Sequence, residues 1–252
     1  MLVIAAALRE ELETALNLCT DRSKARMGTV PLWTGNCSGQ TVQAVKLGVG
    51  PARSAAALER VFAAMKPTQV LVIGYAGALD PGLKPGELVV VKRAHLLAGT
   101  SERLPLSEIR LEASYDLAES ARLSSLARRS GLPFQCVEVL TSWSIIGDPE
   151  DKRQLFGRFQ AAIVDMETAA LARVAAAHAV PLSCVRAVSD TAEDDFLASL
   201  PYDPTAGTMR KAMNFLTAGD LLRRYGQWRE RSLAARRNLS LFLEHLFKNS
   251  RQ

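Results

Sequence analysis

The sequence predicts an α/β fold built on a largely parallel or mixed central sheet. Short, uninterrupted apolar runs recur along the chain, and such runs are typical of strands buried on both faces. Between them lie stretches whose apolar residues repeat every three or four positions, which is the spacing of an amphipathic helix. Strands that alternate with helices favour parallel pairing, because the helices serve as crossovers.

The first half of the chain shows this alternation clearly. The apolar run Leu2–Leu8 predicts a buried strand, the spaced apolar residues of Arg9–Leu18 predict a helix, and a polar loop is expected after it. Two runs that flank a Ser-Gly pair predict paired strands, and Pro51 suits the first turn of a helix. The further predicted elements are strands over Pro31–Cys37, Thr41–Leu47, Gln69–Ile73 and Glu87–Val91 and a helix over Ala52–Met65.

The second half continues the pattern around two stretches without it. His95–Leu111 shows no clear periodicity, and residues 191–207 are acidic and contain proline, so both are expected to be loops. The predicted strands are Gln135–Leu140, Ala161–Val164 and Leu182–Val188, and the predicted helices are Ala113–Ser130, Asp148–Phe159, Glu167–His178 and a helix from Thr208 onward.

Composition limits the class of protein. The chain has 252 residues, 48% hydrophobic and 23% charged, which is enough to bury a core and excludes wholesale disorder. No apolar run reaches 18 residues, so no transmembrane helix is expected, and the N-terminal run lacks the basic region of a signal peptide. We expect one domain over residues 1–222 and a basic helical extension over residues 223–252.

Cysteines and histidines are scattered. The four cysteines form no CxxC pair, and neither they nor the three histidines have metal-ligand spacing. We therefore expect no metal site, no disulfide framework and a reducing, cytoplasmic compartment. Motifs of nucleotide cofactor sites and of the GxSxG nucleophile are missing from the sequence, so no cofactor is expected.

Several carboxylates follow predicted strands directly: Glu10 and Glu11, Asp165 and Glu167, and Asp190. Ligands of such sheets bind beyond the carboxyl ends of the strands, so these groups would meet in one crevice and take part in acid–base chemistry. For each acid the alternative is a helix cap or a first-turn acid that complements the helix dipole. The loops that fit such a crevice are Ala7–Glu11, Gly48–Pro51, Gly74–Gly77 and Ser189–Glu193.

Four segments match, in order, the landmarks of one family. They are AALREEL, LGVGPARSAAAL, VLVIGYAGALDPGLKPGELVV and AAIVDMETAALARVAAAHAVPLSCVRAVSD. They resemble the nucleoside phosphorylase and nucleosidase superfamily, and the pattern is most similar to methylthioadenosine/S-adenosylhomocysteine nucleosidases. The resemblance implies a three-layer phosphorylase/hydrolase-like fold, with a central mixed, partly barrel-like sheet flanked by helices. It also implies cleavage of the N-glycosidic bond of a purine (adenine) nucleoside with a 5′ substituent, and release of the free base.

The resemblance implies a role for each matching site residue. Asp190 would be the general acid at N7 of the purine, and Glu11 the general base that activates a water at the anomeric carbon. Glu167 would hydrogen-bond the ribose hydroxyls, Met166 would pack against sugar and base, and Leu8 would line the sugar pocket. One acid at the leaving group and one base on the opposite face is the logic of glycoside cleavage.

Five further candidate residues are expected at the base and in the glycine turn, and one of them departs from the family. Trp143 and Ile145 are candidates for the wall on which the base stacks, and Ala76 and Gly77 belong to the glycine turn that contacts substrate. Tyr75 stands in that turn where the family has a small or hydroxyl residue, so it would narrow the pocket, donate to the substrate or replace a water.

The nucleophile is a separate question. The phosphorolytic branch places an arginine where Val72 stands here, and Arg53 is the obvious basic residue near a glycine turn. Glu11 without those arginines favours hydrolysis. Phosphorolysis, with phosphate as a second ligand, and an inactive nucleoside-binding protein are the alternatives. The family is oligomeric as a rule, so the resemblance implies a homo-oligomer, a dimer or larger.

The net charge of +5 comes from the C-terminal segment. Residues 223–252 hold eight basic and two acidic residues, a net charge of +6, and residues 1–222 carry −1. Apolar residues in the segment have helical spacing, which indicates a helix packed on the body or on a second subunit, or a peripheral membrane contact. A weaker resemblance to the hopanoid-associated branch implies adenosylhopane as a substrate. No nucleic-acid motif accompanies the charge, so no nucleic-acid partner is expected.

Overall fold

The structure, a computed structural model, describes residues 1–99, 108–195 and 219–249, and the side chains of these residues except 219–232. Its strands are β1 (Leu2–Ala6), β2 (Thr20–Met27), β3 (Val30–Cys37), β4 (Gln40–Lys46), β5 (Gln69–Ala78), β6 (Leu88–Leu97), β7 (Leu111–Asp116), β8 (Phe134–Thr141), β9 (Ile163–Asp165) and β10 (Leu182–Asp190). Its helices are α1 (Arg9–Leu16), α2 (Pro51–Ala64), α3 (Ser120–Arg129), α4 (Pro149–Phe159), α5 (Thr168–Ala177) and α6 (Gly219–Asn249).

One mixed sheet contains a closed barrel. Five strands pair in a ring, in the order β10, β6, β8, β9, β5, and β5 pairs again with β10. From β5 the sheet continues outward through β1, β4, β3 and β2, while β7 pairs with β6. The strands β1, β5 and β10 are mutually parallel, so their carboxyl ends meet at one edge of the sheet. The predicted mixed, partly barrel-like sheet is confirmed.

Helices cover the sheet on two sides. The inner residues of α2 and α5, such as Leu58 and Leu171, belong to one apolar cluster with the barrel strands. Residues of α1, α3 and α6, such as Leu12, Leu126 and Phe242, belong to a second cluster with residues of β1, β4, β5, β6 and β10. Burial on both faces explains why strands such as β1 and β10 are continuous apolar runs in the sequence.

The end of helix α6 belongs to the core. Leu239 and Phe242 are fully buried, and Asn238 donates a hydrogen bond to the carbonyl of Gly86 at 2.7 Å. For residues 233–249 the packed alternative is therefore the observed one. The expected boundary between residues 222 and 223 falls inside this helix, and the division itself stays a prediction. No helix in the described ranges is both long and apolar enough to span a bilayer.

Three strands differ from the sequence-based expectations. The expected polar loop before Pro31 contains β2, an exposed edge strand that pairs with β3 through its backbone. The expected helix Ala113–Ser130 is β7 followed by α3, and β5 runs on to Ala78 through the expected turn Gly74–Gly77. Both β2 and β7 are exposed over most of their length, so they lack the apolar alternation by which a strand is recognised.

The cysteines also differ from expectation. Cys19 and Cys37, which lie just after α1 and at the end of β3, form a disulfide, while Cys136 and Cys184 are free. The expectation that no disulfide would form was therefore wrong for this pair, because the two residues are 18 positions apart and only the fold brings them together. Cysteine spacing consequently gives no support to a reducing compartment.

The expected loops 95–111 and 191–207 and the helix from Thr208 lie partly outside the described residues. Of the first stretch, His95–Leu97 belong to β6 and Leu111 to β7, while residues 100–107 are not described. Residues 191–195 form turns rather than a helix or strand. The part of the predicted C-terminal helix that is described begins at Gly219.

Candidate active site

A cavity opens at the edge of the sheet where β1, β5 and β10 end. Its volume is about 190 Å³, and its mouth opens to solvent. Each of the four predicted loops contributes to its wall. The lining residues are Ala7, Leu8, Glu11, Val49, Tyr75, Ala76, Gly77, Ser144, Ile145, Ile146, Val164, Asp165, Met166, Glu167, Ser189 and Asp190.

Glu11 is buried in the first turn of α1, directly after β1. Its carboxylate accepts hydrogen bonds from the backbone N–H groups of Leu8 at 2.8 Å and Tyr75 at 2.9 Å. Burial raises the pKa of Glu11 above its ordinary value, and the charge of Arg186 and the backbone donors counteract this rise only in part. A buried carboxylate with a raised pKa is a better proton acceptor than an exposed one, as a general base requires.

Glu167 immediately precedes α5, and its side chain reaches the turn before α2. Its Oε1 accepts from the N–H of Gly50 at 2.9 Å, and its Oε2 lies 3.5 Å from Arg186. Burial raises the pKa of Glu167, the charge of Arg186 opposes the rise, and the nearby Asp165 adds to it. The side chain is thus fixed at the cavity wall, where it presents an acceptor to a ligand.

Arg186 lies beneath the cavity and balances three carboxylates. It is 1% exposed, and its guanidinium contacts Asp165 at 2.7 Å, Glu167 at 3.5 Å and Glu11 at 4.0 Å. Burial alone disfavours its charge, but the surrounding anions, Asp165 first, hold the pKa of Arg186 above its ordinary value. Arg186 is therefore a structural ion-pair partner of these carboxylates.

Gly74 permits this arrangement. A Cβ atom at this position would overlap both the guanidinium of Arg186 and the carboxylate of Glu11. Only glycine leaves room for the ion pair to pass so close to strand β5.

Asp190 ends β10 next to a β-bulge. The pairing of β10 with β5 shifts register between Val188 and Asp190, and such a bulge redirects side chains, so that Ser189 and Asp190 both line the cavity. The Ser189 hydroxyl donates to Oδ1 of Asp190 at 2.7 Å. Gly77 faces this carboxylate, since a Cβ there would lie 2.9 Å from Oδ2.

Lys152 was missed by the sequence analysis. It lies on α4 with no exposed surface, and its Nζ donates to Oδ2 of Asp190 at 2.6 Å. A signal for it exists in the sequence. Lys152 shares helical spacing with Leu155, Phe156 and Phe159, the residues that α4 packs into an apolar cluster, and a lysine on the apolar face of a helix usually has a buried partner.

The wall that would hold a base is formed by Ile145 and Met166, together with Ser144 and Ile146, which the sequence analysis did not single out. Trp143 is not part of it. Its indole N–H donates to the carbonyl of Leu97 at 2.9 Å, which directs the ring to the neighbouring strand β6; of the two candidates, only Ile145 lines the cavity.

Tyr75 narrows the cavity without closing it. It is partly buried on β5, where it is one wall residue among others. Burial, and secondly the charge of Glu11, raises the pKa of Tyr75, so the phenol is neutral at physiological pH and able to donate a hydrogen bond. Because the cavity stays open beside Tyr75, the Tyr75 side chain does not fill it.

The polar groups of the cavity are mainly acidic. Within the described part of the chain, no lysine or arginine lines it; Val72 is buried in the core, and Arg53 lies on the exposed side of α2. Likewise, no cluster of metal-ligating side chains was found among the described residues. The arrangement suits acid–base chemistry on a neutral ligand rather than the binding of an anion.

Fold and site together define an α/β protein with a barrel-centred sheet and a carboxylate-lined ligand cavity at the strand ends. The model of the phosphorylase superfamily matches residues 1–218. The chain therefore belongs to the phosphorylase superfamily.

Relatives in this superfamily are nucleosidases. The chain is 27% identical over 224 residues to a 5′-methylthioadenosine/S-adenosylhomocysteine nucleosidase of Haemophilus influenzae, covering 86% of this chain and 96% of the relative. It is 26% identical over 203 residues to a protein of the same name from Staphylococcus aureus, covering 77% and 88%.

Solved structures agree in fold. The nucleosidase of Neisseria meningitidis in complex with methylthio-immucillin-A superposes with a TM-score of 0.73, at 18% identity and 98% coverage of both chains. The S-adenosylhomocysteine nucleosidase of Streptococcus pyogenes in complex with 5-methylthiotubericidin gives 0.71, at 22% identity and 97% and 96% coverage. At these identities the likeness shows the fold alone.

Proposed function

We propose that this protein hydrolyses the N-glycosidic bond of 5′-substituted adenine nucleosides and releases adenine. The observation that carries the proposal is that Glu11, Glu167 and Asp190 line one cavity, although they come from three distant segments of the chain. The names of the relatives supply the substrate class, since they are nucleosidases of 5′-methylthioadenosine and S-adenosylhomocysteine.

Each carboxylate has a distinct part in the proposed reaction. Glu11 takes a proton from a water as the oxygen attacks C1′ of the ribose. Glu167 accepts hydrogen bonds from the ribose hydroxyls, an interaction that strengthens as the sugar gains positive charge. Asp190 directs a proton to N7, so that adenine leaves as a neutral base. Ile145 and Met166 pack against the base.

Hydrolysis is favoured over phosphorolysis by the charge of the cavity. Phosphate would need cationic donors, and the described wall offers carboxylates instead. The test is adenine release from a panel of 5′-substituted adenosines with and without phosphate. Phosphate-independent release supports hydrolysis, and release that requires phosphate would establish the phosphorylase.

The carboxylates are tested by Asp190→Asn and Glu167→Gln. We expect each substitution to lower the rate of adenine release by about 100-fold or more while the protein stays folded. Adenine binding without turnover in the wild type would instead support an inactive nucleoside-binding protein.

The 5′ group is proposed to be apolar. Leu8 lines the cavity and is 37% exposed, so an apolar substituent beside it covers surface that is otherwise left in water. A methylthio group and the hydrocarbon of adenosylhopane are both members of the panel. Preference for charged 5′ groups would contradict the proposal.

Peripheral membrane contact is proposed for residues 223–232 rather than for the whole extension. Ala235, Leu239 and Phe242 are buried against the body, so their face of α6 is not free to meet lipid. Liposome flotation with and without anionic lipid tests the contact, and failure to bind anionic vesicles at low salt would rule it out.

A homo-oligomer, dimeric or larger, stays a prediction that light scattering can check.

A further inference from the structure

The Lys152–Asp190 pair has an unusual setting. Lys152 has no exposed surface and is among the largest fully buried side chains of the described residues. Burying an ammonium group is costly unless it is paired and fully hydrogen-bonded. The buried ammonium group of Lys152 beside a carboxylate of the cavity wall therefore points to a role in function.

The ammonium group is fully hydrogen-bonded. Its Nζ donates to Oδ2 of Asp190 at 2.6 Å, to the carbonyl of Thr191 at 2.7 Å and to the carbonyl of Asp194 at 3.2 Å. Three donors thus meet three acceptors. With Ser189 on Oδ1, both oxygens of the Asp190 carboxylate receive a donor, and its orientation is fixed.

Lys152 lies behind the cavity wall, on the far side of Asp190 from the cavity. It does not line the cavity wall, whereas Asp190 does. Helix α4 is capped by Asp148, which accepts from the N–H groups of Glu150 and Asp151, and Leu155 anchors the helix in an apolar cluster. Lys152 can therefore act on a bound base only through Asp190.

We propose that Lys152 is the positioning residue of the leaving-group step, and that the proton taken up by the base comes from the Lys152–Asp190 pair. The inference rests on the proposed function. It extends that function, because Nζ of Lys152 donates to Oδ2 of Asp190 and the Ser189 hydroxyl donates to Oδ1, so that the pair, and not Asp190 alone, supplies the proton for N7.

The step balances as follows in atoms and charge. As the C1′–N9 bond breaks, its electron pair moves into the adenine ring. A proton passes from Nζ of Lys152 to the Asp190 carboxylate and from there to N7, which leaves a neutral amine. Water adds to C1′ and gives its proton to Glu11. After adenine leaves, Glu11 returns that proton through solvent, and Lys152 regains its own.

The test compares two leaving groups. Adenine release from 5′-methylthioadenosine needs a proton at N7, whereas 4-nitrophenyl β-D-ribofuranoside expels a stable phenolate without one. We expect Lys152→Met to lower kcat/KM for 5′-methylthioadenosine by about 100-fold. The kcat/KM for the nitrophenyl riboside should change by less than about threefold. Glu11→Gln, the control, should lower both.

A double-mutant cycle separates this role from a structural one. If the pair acts as a unit, Lys152→Met should cause no further loss in an Asp190→Asn background. The double variant also removes both charges together, which keeps the test informative if Lys152→Met alone unfolds by stranding Asp190. Lys152→Arg, which retains the charge, should recover part of the rate on the adenosine.

The outcomes are distinct. Equal losses on both substrates, no loss on either, or additive losses in the cycle would overturn the role of Lys152 while leaving the nucleosidase in place. A wild-type protein that cleaves neither substrate would overturn the proposed function and this inference with it.

Discussion

Replacing Glu11 by glutamine is the sharpest test of the proposed base. The carboxylate accepts two backbone N–H bonds, from Leu8 at 2.8 Å and from Tyr75 at 2.9 Å. Glutamine offers one carbonyl oxygen and one amide nitrogen, so one of these N–H groups would face a donor. Leaving a buried donor unsatisfied costs about 1–3 kcal/mol.

An opposite effect offsets this cost. Burial raises the pKa of Glu11, so the folded state holds the ionised side chain at an expense of about 1.4 kcal/mol for each unit of the rise. Glutamine removes that expense. The net change in the free energy of unfolding should therefore stay within about 2 kcal/mol, or less than about 8 °C in Tm for a chain of this size.

Activity should change far more than stability. We expect Glu11→Gln to lower the rate of adenine release by about 100- to 10,000-fold, the usual contribution of a general base. Because a base must be ionised and its pKa is raised, the wild-type rate should fall with decreasing pH already above the ordinary range of glutamate. The variant should lose the part of that acidic limb that comes from Glu11, while the part that comes from Glu167, whose pKa is also raised, should remain.

The matched control is Glu13→Gln, two positions along the same helix. Glu13 pairs with Arg9 at the surface and should tolerate the change with an unaltered rate. The assays are steady-state adenine release across pH and thermal unfolding of each variant. A Glu11→Gln protein that retains more than about a tenth of the wild-type rate would refute the assignment of the base.

Further predictions concern the support of the site. Gly77→Ala should lower the rate by about 100-fold with little loss of stability, because its Cβ would lie 2.9 Å from Oδ2 of Asp190 and displace it; adenine release and Tm measure the two effects. Phe242→Ala should cost about 3–5 kcal/mol of unfolding free energy in urea titrations, since it empties a fully buried site of α6. Raised pKa values of Glu11 and Glu167 mean that the folded state binds protons more tightly, so their contribution to stability should be lost as pH rises through those values; this loss should be smaller in Glu167→Gln.

These predictions have contrary outcomes as well. A Gly77→Ala protein with normal activity would show that Asp190 is free to move aside. A Phe242→Ala protein of unchanged stability would mean that α6 contributes little to the core. A stability difference between wild type and Glu167→Gln that does not vary with pH would contradict the raised pKa of Glu167.

Much of the fold could be predicted from the sequence, because it depends on local patterns. The strands β1, β4 and β10 are buried on at least one face, so burial alone selects apolar residues and their extent is visible in the chain. Asp148 and Pro149, a cap and a first-turn residue, predict the start of helix α4. The exposed strands β2 and β7 lack such a pattern, since their pairing is carried by the backbone.

The candidate site divides in the same way. Glu11, Glu167 and Asp190 each follow a predicted strand, so their place at the carboxyl edge could be inferred from the chain. The electrostatic surroundings that set their pKa values could not be inferred in this way. The guanidinium of Arg186 lies under Glu11 and Glu167, and that arrangement depends on the parallel pairing of β10 with β5.

The sequence by itself thus determined the class of fold, the family and the positions of the main carboxylates, because periodicity and motifs are properties of neighbouring residues. Tertiary structure alone decided the Cys19–Cys37 disulfide, the hydrogen bond of Trp143 to strand β6 and the pairing of Lys152 with Asp190 across 38 residues. Each of these depends on which distant segments the fold brings into contact. Distance in space, rather than along the chain, sets the charge and hydrogen bonding of a buried group.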